Sequence, residues 1–317
     1  MSATDITNAA PFSQGLAYID RDFVPLAEAR IPLVESGFLR SDATYDVVAV
    51  WEGRFFRLDE HLERFRASYS RLRLKPPLEG EELRDTLLRL VGTSGLTHAY
   101  VSMIATRGLP PAGPRDLRRY RNQIYLFACP YVWVFSPEQQ ERGIRAVVST
   151  VVRTSASSFD PTIKNFQWGD MTRGVWEALD TGAEAGILLD ADGNVAEGAG
   201  YNVFAIVDGV LRTPAEGALM GITRRTVLDL AAEIGLPARE GPLHVDDLRR
   251  AEEIFFSTTA GGVMPVGSLD GEPIGAGGPG PTSLQLRRIY WDAHDRPAWT
   301  TEVDYSVSGA VETSAGA

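Results

Sequence analysis

The chain has 317 residues, of which 44% are hydrophobic and 23% charged, and its formal charge is −11. That length supports a sizeable core and two domains, and the acidic balance argues against a nucleic-acid partner. A single cysteine, Cys129, excludes an intramolecular disulfide and any cysteine-rich metal site, and no long apolar run or basic-then-apolar leader marks a membrane span or a secretory signal. The expectation is a soluble, cytoplasmic enzyme with Cys129 buried as a small apolar residue.

In chain order, residues 1–14 are polar and patternless, the composition of a loose arm. Residues 16–20 and 23–25 read as short strands around Arg21-Asp22. Residues 45–51 are β-rich, Glu52-Gly53 is a turn, and 54–57 form the returning strand of a hairpin. Asp59 opens a helix with Leu62, Phe65, Tyr69 and Leu72 on one face, stopped by Pro76-Pro77. A second amphipathic helix covers 81–91. Long strands follow at 97–106 and 123–135, separated by a Pro- and Arg-rich loop over 107–121. Residues 1–135 thus read as a small α+β domain.

Residues 136–143 are polar and read as a linker. Beyond it, 144–317 read as a larger mixed-sheet domain. It opens on a β-branched strand at 144–152, with a helix at 170–180. Strands at 186–190, 195–197, 202–207 and 210–213 make a meander, in which Asp192-Gly193 and Asp208-Gly209 fit tight hairpin turns. Gly221 starts a helix running to Ile234, with Val227, Leu230 and Ile234 as its inner stripe. A strand at 254–258 and a helix at 283–294 close the pattern.

The chemistry starts from lysine, because the chain hardly uses it. Of 31 basic residues only Lys75 and Lys164 are lysines, and the rest are arginine. An arginine stays protonated, whereas a crowded lysine amine can lose its proton and attack a carbonyl. Lys75 precedes two prolines and reads as surface. Lys164 lies among Pro161, Ile163, Phe166 and Trp168, so its stem is expected against an apolar wall.

Three other segments of the same half could join it. Glu197 ends a strand before Gly198 and Gly200, placed for close approach to a ligand, although a plain turn carboxylate fits too. Gly221-Ile222-Thr223 opens a helix whose N–H groups and Thr223 hydroxyl suit a phosphate. Thr258-Thr259-Ala260-Gly261-Gly262 is rich in hydroxyls and backbone donors. In the first half, Arg64 on the 59–73 helix could supply a fixed cation to the phosphate, or face solvent beside Glu60 and Glu63. Gly275-Ala-Gly277-Gly-Pro-Gly280 matches the dinucleotide fingerprint by letter but follows no strand and contains Pro279, so it is a loop. His61, His98, His244 and His294 have no ligand spacing, and no metal site is expected. A lysine, a carboxylate and two phosphate cradles together point to pyridoxal 5'-phosphate.

At these residues the sequence resembles the fold-type IV aminotransferases, the superfamily of branched-chain and D-amino-acid aminotransferases, and within it most closely the (R)-selective amine transaminases. Six ordered blocks between Gly15 and Trp291 carry the resemblance: Ser41-Asp-Ala-Thr-Tyr45-Asp, Phe55 to Arg64, Asp160 to Asp170, Glu197 to Asn202, Gly221-Ile-Thr-Arg-Arg225 and Thr258 to Gly262. The resemblance implies a transaminase of the ping-pong type with Lys164 as its Schiff-base lysine and Glu197 on the pyridine nitrogen. It assigns Arg64, Ile222, Thr223 and Thr258 to the phosphate, and Tyr45, Trp168, Thr259 and Ala260 to the substrate pocket. It also implies a homodimer whose pockets borrow the 107–121 loop from the partner.

One departure stands out. Where the amine transaminases carry a histidine this chain has Arg40, and the loop arginine that clamps a keto-acid carboxylate is replaced by Gly113, with Arg115 close by. Arg40 and Arg115 are therefore expected to bind a carboxylate, which would favour D-amino acids over simple amines. A D-amino-acid aminotransferase, a branched-chain aminotransferase and a lyase of the aminodeoxychorismate kind are the alternatives.

Overall fold

The computed structural model describes residues 14–306, so the arm expected over 1–14 lies, but for its last residue, outside the described residues. By internal contacts the described chain divides into two units. One holds residues 14–132, 163–166 and 294–306; the other holds 133–162 and 167–293. The small α+β half and the larger mixed-sheet half expected from the sequence are both present, but their boundaries differ from 1–135, 136–143 and 144–317. Residues 163–166 pair with a strand of the first unit, and 294–306 return to it.

The first unit is built from β1 (Leu16–Ile19), β2 (Asp22–Pro25), α1 (Ser36–Arg40), β3 (Ala43–Trp51), β4 (Arg54–Phe56), α2 (Leu58–Arg71), α3 (Gly80–Ser94), β5 (Ala99–Leu109) and β6 (Arg121–Pro130), with a short strand at Thr300–Glu302. Its sheet runs in the order 300–302 strand, β4, β3, β5, β6, β1, β2. The β3–β4 turn has Glu52 at φ 48° and Gly53 at φ 77°, the two positive values a tight hairpin needs. Alternation then sorts the side chains. Val48, Val50, Val101, Met103 and Leu126 join Phe65, Tyr69, Leu83 and Leu87 in one buried core between the sheet and helices α2 and α3. Tyr45, Val47 and Ala49 point to the other face, opposite Ile104, Ser102 and Tyr100 of β5. Cys129 is buried as expected. The strand expected to reach Phe135 stops at Pro130, a residue with no N–H to offer a ladder.

The second unit is built from α4 (Pro137–Arg142), β7 (Ile144–Val152), α5 (Gly169–Asp180), β8 (Ala185–Leu189), β9 (Val195–Gly198), β10 (Asn202–Val207), β11 (Val210–Thr213), α6 (Ile222–Glu233), β12 (Ala238–Glu240), α7 (Val245–Arg249), β13 (Glu253–Thr258), β14 (Gly262–Leu269), β15 (Glu272–Pro273) and α8 (Pro281–Asp292). The sheet order is β12, β11, β10, β13, β14, β7, β8, β9, with β15 on β14. Pairs β14–β7, β7–β8 and β11–β12 are parallel and the others antiparallel, so the sheet is mixed.

Four local expectations change here. The expected linker is helix α4, started by a capping box: the Ser136 hydroxyl accepts from Gln139 N–H at 3.3 Å and Gln139 accepts from Ser136 N–H at 2.7 Å, with Pro137 at the first position. Strand β14, buried almost throughout, was hidden by Gly262, Pro265 and Gly267, which lower β propensity. Ile234 caps α6 and is exposed, while Val227 and Leu230 are fully buried. Asp208-Gly209 makes the expected tight turn, with φ of 53° and 71°, but the turn at Asp192-Gly193 is longer and is tied by Asp190, which accepts from the N–H groups of Asp192 and Asn194.

Candidate active site

In the first unit, the Lys164 backbone is held against β3 by an isolated bridge at its neighbour. Asn165 bridges Thr44, and the Lys164 carbonyl accepts from Tyr45 N–H at 3.1 Å and from the Thr44 hydroxyl at 2.5 Å. The Lys164 N–H donates to Ser68 Oγ at 3.3 Å. These bonds fix the backbone and leave the side chain to choose its surface. Its Nζ lies 4.3 Å from the centre of the Tyr45 ring, and that ring packs on Phe166 at 4.8 Å. The apolar wall expected from sequence is thus an aromatic face.

Arg64 does not sit on a solvated face. On α2, His61 and Arg64 are three apart, so they share one side of the helix, and both reach Asp46 of β3. Arg64 Nε donates to Oδ2 and its terminal nitrogen to Oδ1, both at 2.8 Å, a two-point pairing that fixes the guanidinium plane. His61 Nδ1 lies 2.8 Å from Oδ1, and Val47 N–H adds a fourth bond. Asp46 is fully buried. Burial alone would raise its pKa, but the Arg64 charge and hydrogen bonds, with His61, drive it far below the usual carboxylate range. Burial lowers the His61 pKa by more than Asp46 raises it, so the ring is neutral near pH 7 and donates through Nδ1.

In the second unit, Glu197 is 4% exposed at the end of β9. Its Oε1 accepts from Arg153 Nε at 3.3 Å and from an Arg153 terminal nitrogen at 3.1 Å, and Oε2 accepts from Leu219 N–H at 3.1 Å. Arg153, itself buried, spans to Asp170 in the first turn of α5 at 2.6 Å. Thr154 N–H also donates to Asp170 at 2.7 Å. Burial raises the Asp170 pKa, and the Thr154 and Arg153 hydrogen bonds more than reverse it, so the carboxylate is charged. Arg153 offsets part of the cost of burying a carboxylate there.

Close backbone approach organises the rest of that unit. Asn202 Nδ2 donates to the Leu219 carbonyl at 2.7 Å, and a Cβ on Gly221 would stand 2.2 Å from Asn202 Oδ1, so a side chain before α6 would displace Asn202. No side chain caps the first turn of α6, where Ile222 and the buried Thr223 present their N–H groups. Gly200, at φ 86°, faces the Trp168 ring, and its carbonyl accepts from the Thr258 hydroxyl at 2.8 Å. Ala260 is buried, and its carbonyl accepts from Val134 N–H at 2.8 Å. Thr259 follows β13 in the turn.

The first unit therefore brings together Lys164 and Tyr45, with Arg64 held on the neighbouring residue of the same strand. The second brings together Glu197, Trp168, Thr258 and the α6 start. Arg40, at the end of α1, and Arg115, in the loop before β6, are both exposed. Sequence reasoning missed Asp46, His61, Arg153, Asp170 and Asn202 as supports. A lone aspartate inside an apolar strand, and a histidine three before an arginine on a helix, were the available signals. Arg153 and Asp170 gave none, because their partners are 44 and 17 residues away.

The chain matches the family model of amino-transferase class IV over residues 43–269. A putative branched-chain-amino-acid aminotransferase of Methanocaldococcus jannaschii is 31% identical over 288 residues, covering 90% of this chain and 98% of the relative. The branched-chain-amino-acid aminotransferase of Escherichia coli K12 is 31% identical over 259 residues, covering 78% and 83%. Among solved structures, the T.th. branched-chain amino acid aminotransferase with pyridoxamine 5'-phosphate superposes with TM-score 0.85 at 30% identity, covering 92% of this chain and 99% of that one. The chain belongs to the class IV aminotransferases. It is accordingly a pyridoxal-phosphate-dependent transaminase acting on amino and keto acids or their analogues. Each unit has donors of the kind that cofactor takes: in the first, a primary amine on an aromatic face and a fixed guanidinium; in the second, a buried carboxylate and an uncapped helix start behind a glycine.

Proposed function

We propose that the protein moves an amino group between an (R)-amine or D-amino acid and a keto acid such as pyruvate. The observation that carries this is the sheet face around Lys164. Tyr45, Val47 and Ala49 of β3 and Ile104, Ser102 and Tyr100 of β5 share it, and no cationic side chain from either strand joins them. A carboxylate on the reacting carbon calls for a fixed cation, whereas a methyl or aryl group is suited by rings and aliphatic carbons.

Bound pyridoxal phosphate supplies an electron sink for the pair left when a carbon–hydrogen bond is broken. Lys164 would attach it and then carry the proton between substrate carbon and cofactor carbon. Glu197 would keep a proton on the pyridine nitrogen. Arg64, the N–H groups of Ile222 and Thr223, the Thr223 hydroxyl and Thr258 would hold the phosphate. Tyr45, Trp168, Thr259 and Ala260 would line the substrate pocket, excluding water from the reacting carbon. Arg40, with Arg115, would take a substrate carboxylate when there is one.

A second reading, L-branched-chain transamination, is favoured by the names of the relatives at 31% identity. One titration separates the two. The holoenzyme is mixed in turn with (R)-phenylethylamine, (S)-phenylethylamine, D-alanine and L-leucine, and loss of the cofactor's visible absorption is followed. Bleaching by the (R)-amine or D-alanine supports the first reading; bleaching by L-leucine alone replaces it with the second.

We also propose a homodimer, with the loop before β6 completing the partner's pocket. Support comes from the run Ile31, Leu33, Val34, Phe38 and Leu39, all exposed at 45–78%. So much apolar surface over nine positions is unusual for a monomer. Sedimentation of the wild type as a dimer and of Leu33→Asp/Phe38→Asp as a monomer is expected; a monomeric wild type rejects it.

A further inference from the structure

The Glu197 cluster contains a residue that the transaminase reading leaves without a role. Asp170 uses both carboxylate oxygens: Oδ1 accepts from Met171 N–H at 2.8 Å, and Oδ2 from Thr154 N–H and the Arg153 guanidinium. Arg153 is thereby shared between two carboxylates, Asp170 at 2.6 Å and the buried Glu197 at 3.1 Å, with side-chain exposures of 9% and 5%. The shorter contact is to Asp170. Arg153 gives Asp170 one short bond and Glu197 two longer ones, so one guanidinium charge is divided between two carboxylates.

We propose that Asp170 is a positioning residue that acts through Arg153 on Glu197, drawing positive charge away so that Glu197 retains the negative charge needed to hold a proton on the pyridine nitrogen. The inference rests on the pairing of Glu197 with that nitrogen proposed above. Without Asp170, Arg153 would neutralise Glu197 alone, and a neutralised carboxylate stabilises a pyridinium poorly. A purely structural role for Asp170, anchoring the start of α5 to the chain after β7, needs only hydrogen-bond acceptance. An asparagine keeps the volume and one acceptor oxygen for Thr154 N–H and Arg153, losing only the acceptor used by Met171 N–H, so a structural role alone would leave the ring nitrogen's readouts unmoved.

The test uses holoenzyme carrying pyridoxal phosphate labelled with ¹⁵N in the ring, with the ring nitrogen's chemical shift as readout. A second readout is the affinity for pyridoxal phosphate relative to the analogue with carbon in place of that nitrogen. Glu197→Gln is the reference and is expected to move the shift to the neutral-pyridine value and abolish the preference. Asp170→Asn is expected to move the shift the same way and to narrow the preference roughly tenfold, the effect of about one pKa unit at the nitrogen. Arg153→Gln is expected to act oppositely, keeping the pyridinium shift and widening the preference; it serves also if Asp170→Asn does not fold. Wild-type values for Asp170→Asn while Glu197→Gln moves both readouts overturn the inference, as does a narrowed preference in Arg153→Gln. If Glu197→Gln itself moves neither readout, the pairing of Glu197 with the nitrogen falls, and the inference with it.

Discussion

In each unit an arginine at the candidate site is held on carboxylate, and the two pairings differ. In the first, Arg64 pairs at two points with Asp46, which His61, neutral near pH 7, also reaches. In the second, Arg153 is shared between two carboxylates, Asp170 and Glu197. Burying an ion is costly unless it is paired, so both arrangements need their partners. On the roles proposed above, Arg64 would meet a phosphate that brings its own charge and would need orientation more than extra charge, whereas Glu197 would meet a pyridinium and would need its negative charge kept.

Breaking the chemistry altogether gives the largest effect. Lys164→Ala should lower kcat for (R)-phenylethylamine and pyruvate by roughly a hundred- to ten-thousand-fold, the span assigned to a positioned acid–base group. A loss under tenfold would remove Lys164 from the proton transfer. Next comes the Arg64–Asp46 pairing. Asp46→Ala should cost about 3–5 kcal/mol in urea unfolding, because it removes the fully buried carboxylate that Arg64 pairs with at two points. It should also weaken pyridoxal phosphate more than pyridoxal, since the guanidinium loses its fixed plane.

Arg40→Leu should cut kcat/KM for D-alanine about thirtyfold, the value of one charge-assisted contact of about 2 kcal/mol, and change (R)-phenylethylamine little. Equal losses on both substrates would deny Arg40 a carboxylate role. Thr223→Ala should weaken pyridoxal phosphate about tenfold without changing the affinity for pyridoxal, as loss of one bond to a charged group predicts.

The smallest effect is a pH slope. His61 has a folded pKa below its unfolded value, so between the two the unfolded chain binds the extra proton and stability falls as pH drops below about 6.5. Asp46, also depressed, adds stability that is complete above its unfolded pKa and lost only at much lower pH. The urea midpoint should therefore decline from about pH 6.5 to pH 5, and His61→Gln should flatten part of that decline. His98 is depressed as well, by its own burial, and accounts for a remaining slope.

The residues fixed a good deal before any folding was seen. Period-two and period-3.6 patterns placed α2, β7 and α6 within a residue or two, and α3 within three, because each buries one face on its own core. The scarcity of lysine singled out Lys164, and glycine before a helix start singled out Thr223. What composition obscured was α4, whose polar residues masked a capping box, and β14, whose glycines and proline masked a buried strand.

Only the tertiary structure decided which charges stand together. Lys164 joins β3, 120 residues earlier in the chain, through bonds of its carbonyl to Thr44 and Tyr45, and nothing local to either segment records that pairing. Arg153 and Asp170 look like any other charges in a sequence with 31 basic and 42 acidic residues. Local patterns report which face a residue turns inward, since that depends on near neighbours along the chain. The electrostatics of the site depends on long-range pairing through a low-dielectric interior, and that is set only when the sheets close.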